Sequence, residues 1–449
     1  MRPRTSTTLA AQGDRTFGSI PSGTATPETL DLTMEGALSR ALRYNLALTE
    51  GSENVRIQRA ARLRALSLLL PNVAARPSIA GQQVNLAAFG FSGFPGMPSV
   101  VGPFNVYDAR GSASVTLLNV RDLGNYRAAR EEVAAAEFAV KDAREQVVVI
   151  VTTLYLQAVA GTARVEAQRS QVATAGAAYR QALARKDAGT VPGIDVLRAQ
   201  VQWQAEQQQL IFYEGEFEKQ KLNLARAIGL PPGQTFRLAD GAPYTPLPPD
   251  TTLESTLDRA YRERSDYRAA EALVRAAELS KSAARAGFLP SAGVDANYGV
   301  IGNSPARMHG SFSVAAAVNI PIFQGGRVRA DVEAADAALR QRRAELDDLR
   351  GKIDAEVRTA FVDLTSASRQ VDVAVQNTAL ARQQLEQAQD RFAAGVTNNL
   401  EVVQAQQAVA LANENHIAAL YAFNAAKAAL VRARGDAEQS IKDYVRRKQ

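Results

Sequence analysis

The chain has 449 residues, 46% hydrophobic and 22% charged, so it is long enough to bury a core and too balanced to be disordered. It contains no cysteine, which excludes disulfide frameworks, cysteine-lined zinc sites, cysteine nucleophiles and a lipid anchor on an N-terminal cysteine. The formal charge is +6, but basic and acidic residues alternate along segments such as RQRRAELDDLRGK, a pattern typical of solvated helix faces rather than of nucleic-acid binding.

The sequence shows no catalytic constellation. Gly-x-Ser-x-Gly, a glycine-rich phosphate loop and His-Glu-x-x-His are all absent, and the two histidines, His309 and His416, have no metal-binding partner at helical spacing. We therefore predict a protein that is not an enzyme and that holds no cofactor and no metal. The lone Trp203 is interpreted as a packing residue.

We predict that residues 1–31 form a disordered N-terminal lead and that ordered structure begins near Leu32. It lacks the apolar stretch of about 7 to 15 residues that a secretory signal needs, so either the protein stays inside or this start is incomplete. No apolar run reaches the roughly 18 to 20 residues of a membrane-spanning helix. If the protein crosses a membrane, it is expected to do so with strands.

Two very long helices are predicted, at about 124–188 and 326–394, because apolar residues recur in heptad register without an interrupting proline. A helix of about 65 residues is about 100 Å long, so each must pack along its length against other helices. Each is followed by a turn and a returning helix, at about 194–229 and 398–434. Periodicity alone leaves an ordinary antiparallel coiled coil open.

Strands are predicted where the period changes to two, at about 290–301 and 310–322, and less regularly at about 72–89 and 104–120. The segments have the length of tilted strands that cross a bilayer with one face to lipid and one to water. Four strands per chain are too few for a closed barrel, which needs about eight, so closure requires several copies.

The whole pattern of helix, hairpin, long helix, turn and returning helix occurs twice, over 32–229 and 252–435, with a Pro-rich joint at 230–251 and a tail at 436–449. The two copies of the turn correspond residue by residue: Arg185 matches Arg391, Gly189 matches Gly395, and Asp195 matches Glu401. Tandem duplication is the simplest account.

Five segments in order resemble the TolC-like outer-membrane efflux proteins, exit ducts of tripartite pumps and type I secretion systems. They are LTMEGALSRALRYNLAL, RSDYRAAEALVRAAE, ARAGFLPSAGVDANYG, NIPIFQGGRVRA and the repeated tip motif. The third and fourth flank the second hairpin, and the fourth contains the strand-to-helix transition formed by Pro321, Phe323, Gly325 and Gly326. The first repeat has TLLNVRDLGNYRA there and keeps only Gly124, so its transition is expected to bend differently.

This resemblance implies a mainly α protein with transmembrane β structure. Three chains would form a twelve-stranded outer-membrane β-barrel continuous with a long periplasmic α-helical barrel, and the Pro-rich joint would lie on an equatorial belt. The implied partners are two further copies, a periplasmic adaptor protein, an inner-membrane RND, ABC or MFS transporter, and outer-membrane lipid, without nucleic acid. The implied location is the cell outer membrane, extending into the periplasm.

The resemblance also implies a gate, because in the family the helix tips close the periplasmic end like an iris. Asp195 and Glu401 are expected at the start of the returning helices, where the structural alternative is that they only favour helix initiation. In the family, acidic side chains form a ring at the narrowest point of the tunnel, and Glu401 occupies the position of one of these acids. The position of the second acid, one helical turn later, is Gln404 in this chain. Phe392 and Thr397 replace a latching tyrosine and arginine, so we predict a single ring of three glutamates and a gate held by other contacts.

The tip turns, with Gly189, Gly395, Arg185 and Arg391, are expected to receive the adaptor. The cargo and the class of pump are not encoded in a recognisable way. The alternative to a channel is a soluble coiled-coil scaffold or adaptor whose apparent strands are β-rich loops.

Overall fold

A computed structural model describes residues 17–90, 98–241, 244, 252–397 and 399–440, except the side chain of Asn399. The first repeat contains β1 (Leu30–Leu32), α1 (Met34–Tyr44), α2 (Leu46–Ser67), β2 (Asn72–Asn85), β3 (Val100–Leu118), α3 (Val120–Asp187) and α4 (Gly193–Ala227). After β4 (Phe236–Leu238), the second contains α5 (Leu253–Glu263), α6 (Ser265–Arg285), β5 (Ser291–Gly302), β6 (Met308–Asn319), α7 (Arg327–Ala393) and α8 (Asn399–Arg434). These elements divide between two compact units.

The strands of both hairpins form one antiparallel sheet in the unit made of Asn54–Ala136 and Ala269–Leu346. The strand order is β2-β3-β5-β6, so β3 and β5 join the two hairpins. In the second hairpin Tyr298 pairs with Phe312 and Val294 with Ala316, which places the predicted apolar positions opposite one another on the same face. Among the described residues, β2 and β6 have no second strand neighbour, so the sheet is open at both edges.

The two strand-to-helix transitions differ, and the first also differs from the prediction. Helix α3 begins at Val120 rather than near residue 124, and Gly124 lies inside it. A Cβ on Gly124 would approach the Cβ of Ala283 to 2.7 Å, so this glycine permits close helix packing and makes no turn. In the second transition, Gly325 and Gly326 have φ of 58° and 85°, values that favour glycine, before α7 begins.

The long helices supply the core of the other unit, made of Met1–Glu53, Glu137–Arg268 and Asp347–Gln449. Around α3, Val147, Val151 and Tyr155 are completely buried with Leu224 of α4. Around α7, Ile353 and Val357 take the corresponding places in a second cluster. The heptad seams therefore form cores, because each apolar stripe is covered by neighbouring helices.

Helix α3 also contains a stretch of 18 residues that is long and apolar enough to cross a membrane. The prediction that no apolar run reaches the length of a membrane-spanning helix is therefore wrong for α3, because the polar residues that break this run are few. Half of this stretch is buried within the protein.

The predicted disordered lead over 1–31 is wrong for the part that the structure describes. The Ile20 N–H donates to the Tyr44 carbonyl at 2.8 Å, and the Ser22 N–H donates to the Gly229 carbonyl at 3.1 Å. Strand β1 pairs in parallel with β4, which lies in the predicted Pro-rich joint. Gly229 makes this possible, because a Cβ there would meet the Ile20 carbonyl at 2.7 Å. Backbone pairing therefore orders a polar segment that hydrophobic periodicity cannot detect.

Several predicted segments lie wholly or partly outside the described residues. These are 1–16 of the lead, most of the loop after residue 90, much of the joint beyond Gly241, Asn398, and 441–449 of the tail.

Candidate functional site

The turn between α3 and α4 ends the long helix with a glycine in the left-handed region. The Gly189 N–H donates to the Lys186 carbonyl and the Thr190 N–H to the Arg185 carbonyl, each at 2.9 Å. Gly189 has a φ of 73°, so the two bonds form a Schellman motif that satisfies the last carbonyls of the helix.

The turn between α7 and α8 repeats this geometry. The Gly395 N–H donates to the Phe392 carbonyl at 3.2 Å, the Val396 N–H donates to the Arg391 carbonyl at 3.0 Å, and the φ of Gly395 is also 73°. The duplicated sequence therefore produces the same turn twice, in the same unit.

The two acids lie in the first turns of the returning helices, as predicted. Asp195 is buried, and its Oδ1 lies 3.3 Å from Nη1 of Arg198. Glu401 accepts a hydrogen bond from the Thr397 hydroxyl, and its Oε1 lies 3.6 Å from Nε of Arg391. A carboxylate in the first turn is favoured by the positive end of the helix dipole.

Arg185 links the first tip to the second. Its Nη1 donates to the Phe392 carbonyl at 2.9 Å and its Nη2 to the Ala393 carbonyl at 3.4 Å. The guanidinium also lies over the Phe392 ring, 4.5 Å from its centroid. These carbonyls end α7, where the helix dipole favours a cation, so hydrogen bonding, cation–π attraction and the dipole all act in one direction.

Phe392 is buried in a small apolar cluster with Ala388, Val402 and Ala405, which holds the ring in place beneath Arg185. Thr397 bonds Glu401 of its own hairpin, while Gln404 is exposed one turn further along α8. The structure thus brings Arg185, Phe392, Arg391, Thr397 and Glu401 together around the two tips.

Sequence reasoning assigned Arg185 only to its turn and to adaptor docking, and it missed this link. Arg185 and Arg391 are equivalent in the repeat, yet Arg185 binds the neighbouring hairpin and Arg391 lies beside the acid of its own. The repeated arginine was the available signal, but its partner depends on how the hairpins pack.

The remaining predicted site residues lie elsewhere. Pro321, Phe323, Gly325 and Gly326 belong to the unit that holds the sheet, where Phe323 is highly exposed. His309 lies within β6, paired with Ile301. Among the described residues, no group of three or more His, Cys, Asp or Glu could hold a metal ion.

The sequence matches a family model described as outer membrane efflux protein over residues 43–230 and 256–436. The pyoverdine export outer membrane protein OpmQ of Pseudomonas aeruginosa is 26% identical over 332 residues, covering 72% of this chain and 68% of OpmQ. The outer membrane protein OprJ of the same organism is 27% identical over 304 residues, covering 62% of this chain and 59% of OprJ.

The fold is similar to that of the outer membrane protein VceC from Vibrio cholerae. The TM-score is 0.78 with 17% sequence identity, and the superposition covers 90% of this chain and 96% of VceC. At this identity the likeness concerns the fold.

Proposed function

The chain belongs to the outer membrane efflux protein family, and we propose that it is the passive exit channel of a tripartite efflux or type I secretion system. It is an outer-membrane protein, as its relatives are named. It would conduct small molecules or polypeptides outward without chemistry of its own.

The observation that best supports this proposal is the open four-stranded sheet. Its second hairpin carries apolar residues on one face, and each of its two edge strands lacks a second strand neighbour among the described residues. Open edges and a lipid-compatible face are stable in a bilayer only if the sheet closes into a barrel. Three copies would supply twelve strands and remove every edge.

We further propose that the helix tips form the gate at the periplasmic end. Three copies would bring three Glu401 side chains into one ring, and Arg391 beside each glutamate would reduce its charge, so cation preference would be weak. Arg185 would hold the closed state, since it fastens one hairpin of each chain to the other.

Opening would require another protein to favour a state in which the tips separate. A periplasmic adaptor docking near Gly189 and Gly395 suits this role, and an inner-membrane RND, ABC or MFS transporter would supply energy and select the cargo.

The test is to express the chain behind a working secretory signal, purify it in mild detergent, measure its mass by light scattering and record conductance in planar bilayers. A trimer that conducts supports the proposal. A monomer or dimer that remains soluble without detergent would replace the channel with the soluble scaffold.

A further inference from the structure

The four-stranded sheet carries all of its Asp and Arg side chains on one face. Strand pairing places Arg76 opposite Arg110, and Arg110 opposite Gly299. Asp108 lies two residues before Arg110, and Asp295 lies four residues before Gly299. An even spacing along a strand keeps side chains on the same face, so all four charged residues point the same way. The opposite face carries exposed apolar side chains, among them Val73, Ile79, Tyr298 and Phe312.

This segregation indicates which face of the sheet meets water. A charged side chain that faces lipid is costly, whereas the interior of a membrane barrel is polar. If the sheet closes into a barrel as proposed, the face with Arg76 and Arg110 lines the interior. A solute that leaves through the barrel then passes these two arginines.

Arg76 and Arg110 form a pair of like charges. Directly opposed residues have Cβ atoms about 5 Å apart, and like charges in that arrangement destabilise a sheet. Asp108 compensates Arg110, because its carboxylate accepts from Nε at 2.8 Å and lies 2.7 Å from Nη2. Arg76 is exposed and makes no ion pair within the part of the chain that the structure describes. One positive charge per copy is therefore left uncompensated beside a guanidinium that Asp108 holds in place.

The remaining acid of the sheet is too distant to neutralise Arg76. Asp295 lies two strands across and four residues along the sheet from Arg76. Those steps amount to about 10 Å and about 14 Å, so the two side chains are about 17 Å apart. At physiological ionic strength charges are screened over about 8 Å. The surroundings of Arg76 are therefore positive.

We propose that Arg76 and Arg110 form an anion-binding site on the interior wall of the barrel, for solutes that bear carboxylate or phosphate groups. Guanidinium groups present planar sets of N–H donors that match both anions. A bound anion would also relieve the repulsion between the two arginines. This inference rests on the proposed function and adds a chemical preference for anionic cargo to it.

The absence of cysteine from the chain lets a single introduced thiol report the local potential. Three exposed alanines form a matched set. Ala74 lies on the charged face two residues from Arg76, Ala315 lies on the same face opposite Asp295, and Ala75 lies on the apolar face. Each would be replaced by cysteine in the full chain, purified in mild detergent, and treated with anionic and cationic methanethiosulfonate reagents of similar size. The ratio of the two rate constants measures the potential at the thiol.

The ratio of anionic to cationic rate constants should be higher in Ala74→Cys than in Ala315→Cys. Adding Arg76→Gln removes a charge about 7 Å from the thiol of Ala74→Cys. This should lower its ratio about fivefold at an ionic strength of about 10 mM and about twofold at about 150 mM. The ratio of Ala315→Cys should stay the same. A ratio in Ala74→Cys that does not depend on Arg76 would overturn the site.

Inorganic phosphate tests binding directly. It should slow the anionic reagent at Ala74→Cys more than chloride of equal ionic strength does, and Arg76→Gln should abolish this difference. Asp108→Asn releases Arg110 from its partner and should increase the protection by phosphate. Equal effects of phosphate and chloride would show that the arginines do not bind anions.

Ala75→Cys separates failure of the site from failure of the channel. In a closed barrel its thiol faces detergent or lipid, so it should react with the charged reagents far more slowly than Ala74→Cys. Equal reactivity of Ala74→Cys and Ala75→Cys would overturn both the barrel and the site. A protected Ala75→Cys together with no effect of Arg76→Gln would overturn the anion site alone.

Discussion

At the scale of single residues, one duplicated arginine has acquired two different uses. Arg185 donates to carbonyls at the end of α7 and lies over the Phe392 ring, whereas Arg391 lies beside Glu401 of its own hairpin. A residue's place in the repeat therefore decides its turn geometry, and packing of the hairpins decides its partner.

Replacing Arg185 with alanine removes the link between the tips, so the closed state loses two hydrogen bonds and a cation–π contact. Charge-assisted bonds contribute about 1.5 to 3 kcal/mol each, so we expect at least a tenfold rise in open-channel probability in planar-bilayer recordings. Arg180→Ala, at an exposed position on the same helix, should leave the recordings unchanged. An unaltered conductance in Arg185→Ala would show that the link does not hold the gate.

Glu401 and Arg391 should have opposite effects on ion selectivity. Glu401→Gln removes the ring charge and leaves Arg391 beside it, so the reversal potential in a salt gradient should move toward anions. Arg391→Gln leaves the glutamates uncompensated and should move it toward cations. Shifts of the same sign, or no shift in Glu401→Gln, would exclude the glutamate ring.

At the scale of elements, the second hairpin presents two chemically different faces. Phe312 and its partner Tyr298 lie on the apolar face, while Ser313 follows on the opposite one. If the sheet closes as proposed, the first face meets lipid and the second meets water.

Tryptophan scanning tests this orientation, because the chain has a single tryptophan, Trp203. In a Trp203→Phe background, fluorescence of Phe312→Trp should be quenched by brominated phospholipids. Ser313→Trp should respond instead to a water-soluble quencher such as iodide. Equal lipid quenching at both positions would be incompatible with a barrel wall.

At the scale of the whole molecule, a buried charge network connects helices of both repeats. Arg264, only 2% exposed, lies at the junction of α5 and α6 and pairs with Asp266 and with Glu356 of α7. Burial acts to raise the pKa of Asp266, but the hydrogen bonds and charge of Arg264 outweigh it and hold this pKa below its usual value. Burial raises the pKa of Asp142 nearby, although Arg432 opposes it.

The lowered pKa of Asp266 sets the sign of its pH dependence. Its contribution to folding stability is present above the ordinary carboxyl pKa of about 4 and is lost as the pH falls through the lower folded value. Arg264→Met leaves the acids without their partner and should cost about 3 to 5 kcal/mol at pH 7.

Lowering the pH toward 4.5 protonates the unpaired acids, so the difference in unfolding free energy between Arg264→Met and wild type should shrink. Urea unfolding of both proteins at pH 7 and at pH 4.5 measures this difference in unfolding free energy. Arg262→Met removes an exposed i,i+4 pair with Asp258 and should change stability by less than about 1 kcal/mol. A pH-independent difference for Arg264→Met would mean that lost packing, not charge, causes it.

Much of the fold follows from local patterns in the sequence. The long helices and the second hairpin were predictable because burial of one face imposes a period on the chain. The tip turns were predictable because a positive φ favours glycine. Five ordered motifs were enough to identify the family, which the family match then confirmed.

Other features were not predictable, since they depend on surfaces far apart in the chain. The sequence places Gly124 at the strand-to-helix transition, but it lies inside α3 and packs closely against Ala283. The segment before Leu32 has no periodicity and is ordered by pairing with β4 and Gly229. In both cases the deciding contact joins residues more than 150 positions apart.

By itself, then, the sequence determined the duplication, the helical and strand periods, the tip turns and the family, because each depends on residue type at short spacing. Only the tertiary structure decided which arginine links the tips and which side chains of the two hairpins meet in one sheet. Two copies of one pattern have the same local energetics, and they differ only in what the folded chain places against them.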